Sequence, residues 1–266
     1  MIRLTKISEL QRSDGFELVQ VGDAQIVSRP EATAWARQAV HRHGSLCRTA
    51  GDVAIDTMSG RGPVSVLANP IGDGPPWVVR RYWRGGWVRF LKDRFLRLGR
   101  PRSFKELETS VRLRELDIAT PRVLVAASYP AGLFYRADLV TELVPEASSL
   151  ADVLLGGGKA FSRPWNSEQR EQAIARTVDL VRRMVTVGVR HPDFNAKNIL
   201  VSRNLGGIQI SLIDLDRCQL TSPSDSGNVK LLLRRLTRSI RKIARVRSDT
   251  VPDHEMRLIQ DGALSQ

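Results

Sequence analysis

The sequence predicts an α+β protein with two lobes: strands with one main helix in the first, mainly helices in the second, and any chemistry in the cleft where they meet. Three observations predict it. Short apolar runs broken by Gly and Pro fill residues 52–82 and return at 123–144, the pattern of paired strands. Apolar residues recur at helical spacing over 103–116, 167–186 and 229–247. Residues 145–149 interrupt both patterns and place the joint. The expected division is an N-terminal extension over 1–50, a first lobe over 51–144 and a second over 145–266.

Residues 1–50 read as an irregular or short-element opening, apart from a helix over 30–40, where Pro30 suits a first turn whose N–H groups have no intrahelical acceptor. From Val53 the chain meanders: 53–56, 64–68 and 77–82 read as strands. Gly60 and Gly62 lie on the first turn, where backbone could close over nucleotide phosphates; a glycine pair in a hairpin is more often only a tight turn. The helix over 103–116 puts Phe104, Leu107 and Val111 on one stripe, with Ser103 as its N-cap. Residues 123–127 and 132–144 form a second hairpin. The helix over 167–186 lines up Ile174, Val178, Val181 and Val185, with Asn166 as cap and Gly188 as stop.

Composition is that of a globular chain, with no disorder or fibrous repeat. No window approaches the ~18–20 apolar residues that span a bilayer, and no export signal is read at the start, so a cytoplasmic location is expected. Cys47 and Cys218 are then two unpaired thiols, with no metal-thiolate site between them. Against 28 Asp and Glu stand 41 Lys and Arg, a net charge of +13 that predicts anionic company.

The chemistry concentrates between His191 and Arg217. Asp193 and Asn198, five positions apart, can present a carboxylate to a substrate hydroxyl and an amide oxygen to a metal from one tight loop. Asp214 follows at the end of an apolar run, Ile208, Ile210, Leu212 and Ile213, that reads as a buried strand. Phosphoryl transfer is mostly positioning and charge neutralisation, and it needs those parts: an Asp for the hydroxyl and oxygen ligands for Mg²⁺ on the phosphates.

Four separated stretches, His191 through Asn198 to Leu200, Leu212 to Arg217, Tyr135 to Glu142 and Arg80 to Gly86, together resemble the lipopolysaccharide core kinases, whose fold is protein-kinase-like. The resemblance runs over about residues 50–220 and implies an ATP- and Mg²⁺-dependent enzyme phosphorylating a Kdo sugar, at its 4-hydroxyl, on a lipid A precursor. It implies that Asp193 takes or orients the hydroxyl proton, that Asn195 lies near the transferred phosphate, and that Asn198 and Asp214 hold Mg²⁺. His191 would brace the loop; Asp216 would be a second metal ligand or, preferably, the ion-pair partner of Arg217. Glu142 to Val144 would be the hinge whose backbone bonds adenine, and Glu106 the helix carboxylate pairing with Arg80. Protein kinases carry a lysine where this chain has Arg80, and the loop of Gly60 and Gly62 lacks a third glycine.

Two segments concentrate positive charge. Residues 80–102 interleave Arg84, Arg89, Lys92, Arg94, Arg97 and Arg100 with Trp83, Trp87, Phe90 and Phe95, and are the expected acceptor contact. Residues 229–247 set Val229, Leu232, Leu233, Leu236, Ile240 and Ile243 against Lys230, Arg234, Arg235, Arg238, Arg241, Lys242 and Arg245. That helix either packs on its lobe with a solvated basic face or lies on the anionic inner-membrane surface, and the two are compatible. A nucleic-acid-binding protein would also be basic, but no reader motif is present and Asp193, Asn198 and Asp214 would be left without a purpose, so no nucleic acid is expected. A heptose or other small-molecule kinase of the same fold, and a pseudokinase suggested by Arg80, are the remaining rivals.

Overall fold

The computed structural model describes residues 15–58, 62, 64–84, 93–156, 164–204, 206–222 and 228–262. The chain divides into two compact units, one of 4–112 with 121–143, the other of 113–120 with 144–266 and the first three residues. The α+β expectation holds: the first unit is built on a large sheet, the second mainly on helices.

In the first unit, β1 (Glu17–Val21) and β2 (Ala24–Ser28) form a hairpin, followed by α1 (Pro30–His43) and α2 (Leu46–Val53). Then come β3 (Asp56–Met58), β4 (Val64–Leu67), β5 (Trp77–Arg81) and β6 (Phe95–Leu96), the helix α3 (Arg102–Glu115), which runs on into the second unit, and the long hairpin of β7 (Val123–Ala131) and β8 (Phe134–Glu142). The sheet order is β1-β2-β7-β8-β5-β4-β3, with β6 also on β8, and every pairing is antiparallel.

Both faces of this sheet are covered, which is why Val123 to Ala127 read as a continuous apolar run and not as an alternation. On one face Ile26, Val79, Val125 and Val140 pack with Ala32, Ala36, Leu46 and Trp77. On the other, Val27, Ala126 and Leu139 pack with Phe104, Leu107 and Val111 of α3. Besides the helix expected over 30–40, the stretch read as an irregular opening therefore supplies two strands and a second helix to the sheet and its cover. Likewise Val53, expected in a strand, ends α2, whose Ser45 cap accepts a hydrogen bond from Arg48 N–H at 3.2 Å. Ser103 lies inside the first turn of α3, and its hydroxyl bonds Ala127 O at 2.9 Å; it is not the N-cap.

Cys47 and Cys218 are both free thiols, as expected. Burial, reinforced by the Asp138 carboxylate, holds the Cys47 thiol far above its ordinary range.

The second unit starts with β9 (Ser148–Ser149) and α4 (Leu150–Leu155), capped by Ser149. The long helix α5 (Ser167–Thr186) has a reciprocal capping box in which Asn166 and Gln169 satisfy each other's backbone N–H. It buries Ile174, Val178 and Val181, with Val185 partly covered. After it come β10 (Val189–Arg190), the hairpin β11 (Ile199–Asn204) and β12 (Gly207–Leu212), β13 (Gln219–Leu220), α6 (Val229–Arg247) and α7 (Asp253–Asp261). The apolar stripe of α6 packs into this unit's core through Leu232, Leu233, Leu236 and Ile240. Arg170 of α5 grips the buried Glu255 of α7 through two hydrogen bonds of 2.7 Å. No helix among the described residues is long and apolar enough to cross a membrane.

Candidate active site

Two antiparallel ladders bring the chemistry of the second unit together. β10 pairs with β13, Val189 opposite Leu220, and β11 pairs with β12, Ile199 opposite Leu212. The loops between them, 191–198 and 213–218, are thereby closed at both ends and set against each other.

Inside the first loop two successive tight turns form, with Phe194 N–H bonding His191 O at 3.2 Å and Asn198 N–H bonding Asn195 O at 3.0 Å. Phe194 and Ala196 are the buried anchors. Asp193 O accepts from the side-chain amides of both Asn195, at 2.6 Å, and Asn198, at 2.9 Å. These two bonds orient the amides. Asn198 donates its nitrogen inward, which leaves Oδ1 to accept a hydrogen bond or coordinate a metal ion; Asn195 uses both ends, since its Oδ1 also accepts from Lys197 N–H at 2.9 Å. The structure thus gives the Asn195 side chain a part in shaping the loop.

Across from it, Ile213 N–H bonds Asn198 O at 3.1 Å, and His191 Nε2 donates to Ile213 O at 3.3 Å. His191 is buried and braces one loop on the other. The next residue, Asp214, has φ +63°, a left-handed conformation uncommon outside glycine. Its carboxylate, like Asn198 Oδ1, bonds no described residue. Two hard oxygen donors, one amide and one carboxylate, suit Mg²⁺, which keeps several waters and completes its shell with phosphate. The described residues contain no group of three His, Cys, Asp and Glu able to hold a metal by themselves.

Arg217 departs from expectation. Its Nη1 lies 3.1 Å from Asp193 Oδ2, so its ion-pair partner is the loop aspartate and not the adjacent Asp216. Beneath the loop, α6 supplies two ties: Arg235 donates to Pro192 O, and Ser239 Oγ accepts from Ala196 N–H at 3.3 Å. Neither tie was read from the sequence, although residues four apart share a helix face and this one borders the buried stripe.

In the first unit, Arg80 of β5 donates to Glu106 of α3 at 2.5 Å, the pairing expected. Glu106 is buried and its other oxygen accepts from the Tyr82 hydroxyl at 2.5 Å; the Arg80 guanidinium stacks on that ring, 4.7 Å from its centroid. Tyr82 thus fixes both members, which the sequence reading did not foresee. Gly62 faces the indole of Trp83, and a Cβ there would stand 2.0 Å from Nε1. Close approach of an aromatic ring is sufficient reason for a glycine at 62; Gly60 lies outside the described residues.

The segment expected to be the hinge is partly committed. Glu142 N–H bonds Arg122 O at 2.9 Å and Leu143 N–H bonds Pro76 O at 2.7 Å, whereas Val144 bonds no described residue through its backbone. The Glu142 side chain is held by Arg122 at 2.7 Å, which also reaches Glu31. In the basic 80–102 segment, Arg84 bonds Arg94 O at 2.6 Å and stacks with Arg102 against Phe95, so it is occupied within the chain; Arg94 is exposed, and Arg89, Lys92, Trp87 and Phe90 lie outside the described residues.

Comparison with known proteins gives the same direction. The family model described as "Lipopolysaccharide kinase (Kdo/WaaP) family" matches residues 55–254. A 3-deoxy-D-manno-octulosonic acid kinase of Pasteurella multocida is 31% identical over 195 residues, 71% of this chain and 77% of the relative. The enzyme of the same name from Xanthomonas oryzae pv. oryzae is 35% identical over 201 residues, 74% of each chain. The solved structure of WaaP in complex with acyl carrier protein aligns over 93% of this chain and 98% of the other at 17% identity and a TM-score of 0.45. The sequence matches carry the family assignment.

Proposed function

This chain belongs to the lipopolysaccharide kinase (Kdo/WaaP) family, and we propose that it transfers the γ-phosphate of ATP to a Kdo hydroxyl, the 4-hydroxyl, on a lipid A precursor. It is a phosphotransferase of lipopolysaccharide core biosynthesis. The observation that supports the phosphoryl-transfer reading is the pair of closed loops holding Asp193, Asn198 and Asp214, and the choice of a Kdo acceptor rests on the relatives.

In this reading Asp193, 31% exposed, receives the proton of the acceptor hydroxyl as its oxygen bonds to phosphorus and the bond to the leaving ADP breaks. Asn198 Oδ1 and the Asp214 carboxylate would hold Mg²⁺, which when bound neutralises phosphate charge. Asn195 keeps the loop turned so that Asp193 and Asn198 face outward together. Arg80, clamped by Glu106 and Tyr82, carries the phosphate contact that a lysine makes in protein kinases; its planar fork is held in place before a nucleotide arrives. Val144, with its backbone uncommitted, is the hinge position for adenine, and Glu142 serves through its side chain with Arg122. The exposed basic face of α6 suits attachment at the anionic cytoplasmic surface of the inner membrane.

The test is transfer of label from γ-labelled ATP, with Mg²⁺, to a Kdo-bearing lipid A precursor and to the same lipid lacking Kdo. Transfer to the first alone is expected, falling at least about hundredfold in Asp193→Asn with unchanged melting. Transfer to heptose-bearing acceptors only would overturn the Kdo assignment.

A further inference from the structure

We infer that Arg217 is the acceptor-binding residue that reads the carboxylate of the sugar whose hydroxyl is phosphorylated; the inference rests on the reading above and names the acid group of its substrate. The relatives' acceptor is an acid. Bringing such a sugar's hydroxyl to Asp193 also brings a second anion toward an aspartate, and the two repel unless a cation lies between.

The described structure supplies that cation in one place. Arg217 follows directly on the segment carrying Asp214, and its guanidinium touches Asp193 Oδ2 through Nη1 alone. It is 57% exposed. A guanidinium has five N–H donors in a rigid fork, so most of Arg217's donors remain for a second oxygen pair, and a planar carboxylate takes two of them side by side. The other cations of these loops are differently placed. Arg235 is tied to Pro192 O from below, and Arg190 and Lys197 are exposed and form no ion pair with Asp193, which pairs with Arg217. In an octulosonic acid the 4-hydroxyl is two ring atoms from the carbon bearing the carboxylate, a span one side chain can bridge. Arg217 would thus neutralise the acceptor and fix which hydroxyl meets Asp193.

A cycle between enzyme and acceptor tests this. Transfer is measured for wild type, Arg217→Ala and Arg217→Lys, each with the acid acceptor and with an acceptor whose carboxyl is reduced to an alcohol. Reduction should cost wild type roughly tenfold to a hundredfold in kcat/KM, mainly through KM. Arg217→Ala should show that loss already with the acid and little more with the alcohol, and Arg217→Lys should fall between, keeping charge without the fork. Equal losses on reduction in wild type and Arg217→Ala would overturn the inference, as would a fall in kcat alone on both acceptors, which would make Arg217 a positioning residue for Asp193. Wild type that transfers to neither acceptor would instead overturn the assignment of the acceptor, and this inference with it.

Discussion

Asp214 holds a left-handed backbone, φ +63°, that costs a non-glycine residue on the order of 1 kcal/mol or more and persists only where neighbours over-determine it. Here they do: Ile213 is bonded through both N–H and C=O, and Leu215 is buried. Asn tolerates that region as Asp does, so Asp214→Asn should keep the melting temperature within about 2 °C while transfer falls at least about hundredfold. Asp214→Ala should lose the same activity and about 1 kcal/mol of stability besides. Thermal melts run beside the transfer assay separate the two effects. At this scale the sequence singles out candidate residues and does not say what they touch. The pairing of Arg80 with Glu106 was expected from the family resemblance, not from spacing, and the structure shows it. The engagement of both ends of the Asn195 amide, and the choice of Asp193 over Asp216 by Arg217, depend on side-chain torsions set by the folded loops, which no periodicity encodes.

Among the elements, Gly188 is where geometry and chemistry meet. It follows α5 at φ +79°, its carbonyl accepts from Thr221 N–H at 2.8 Å, and a Cβ would stand 2.1 Å from Thr221 O. Gly188→Ala would have to part the β10–β13 ladder, one of the two that close the loops 191–198 and 213–218. A loss of about 2–4 kcal/mol is expected, read as a lower urea midpoint, with transfer reduced below the unfolding transition. Three helices were legible because each buries a stripe with a 3.6-residue period: α3, α5 and α6 fall where that period placed them, while α1 was read from Pro30 in its first turn. β1 and β2 were not. Leu18, Val19 and Val21 are only partly covered, so their alternation is weak, and what makes β2 a strand is β7, a hundred residues away. α2 was obscured by its apolar end at Val53, which reads equally well as the start of a strand.

For the whole molecule the dominant fact is charge. The net charge of +13 was visible at once, but its placement required the fold. The apolar stripe of α6 is consumed by the second unit's core, so this helix cannot insert that face into lipid; what it offers is Arg234, Arg238, Arg241, Lys242 and Arg245, all exposed and without ion-pair partners among the described residues. Binding should therefore be electrostatic: wild type should associate with vesicles containing anionic lipid and release as salt rises. Replacing Arg234, Arg238, Arg241 and Arg245 by Gln should weaken association at least about hundredfold, at about 1 kcal/mol for each charge near the surface. Unchanged binding in a vesicle flotation assay would place the contact elsewhere. The sheet of the first unit has a further consequence. The family match begins at residue 55, yet β7 is an interior strand only because β2, well before that point, pairs along it from Val125 to Ser128. Residue 55 is thus a border of the family match and not of folding. A chain shortened to it would present β7 as a bare, apolar rim, open to the same rim on its neighbours, and would be expected to clump before it could be assayed.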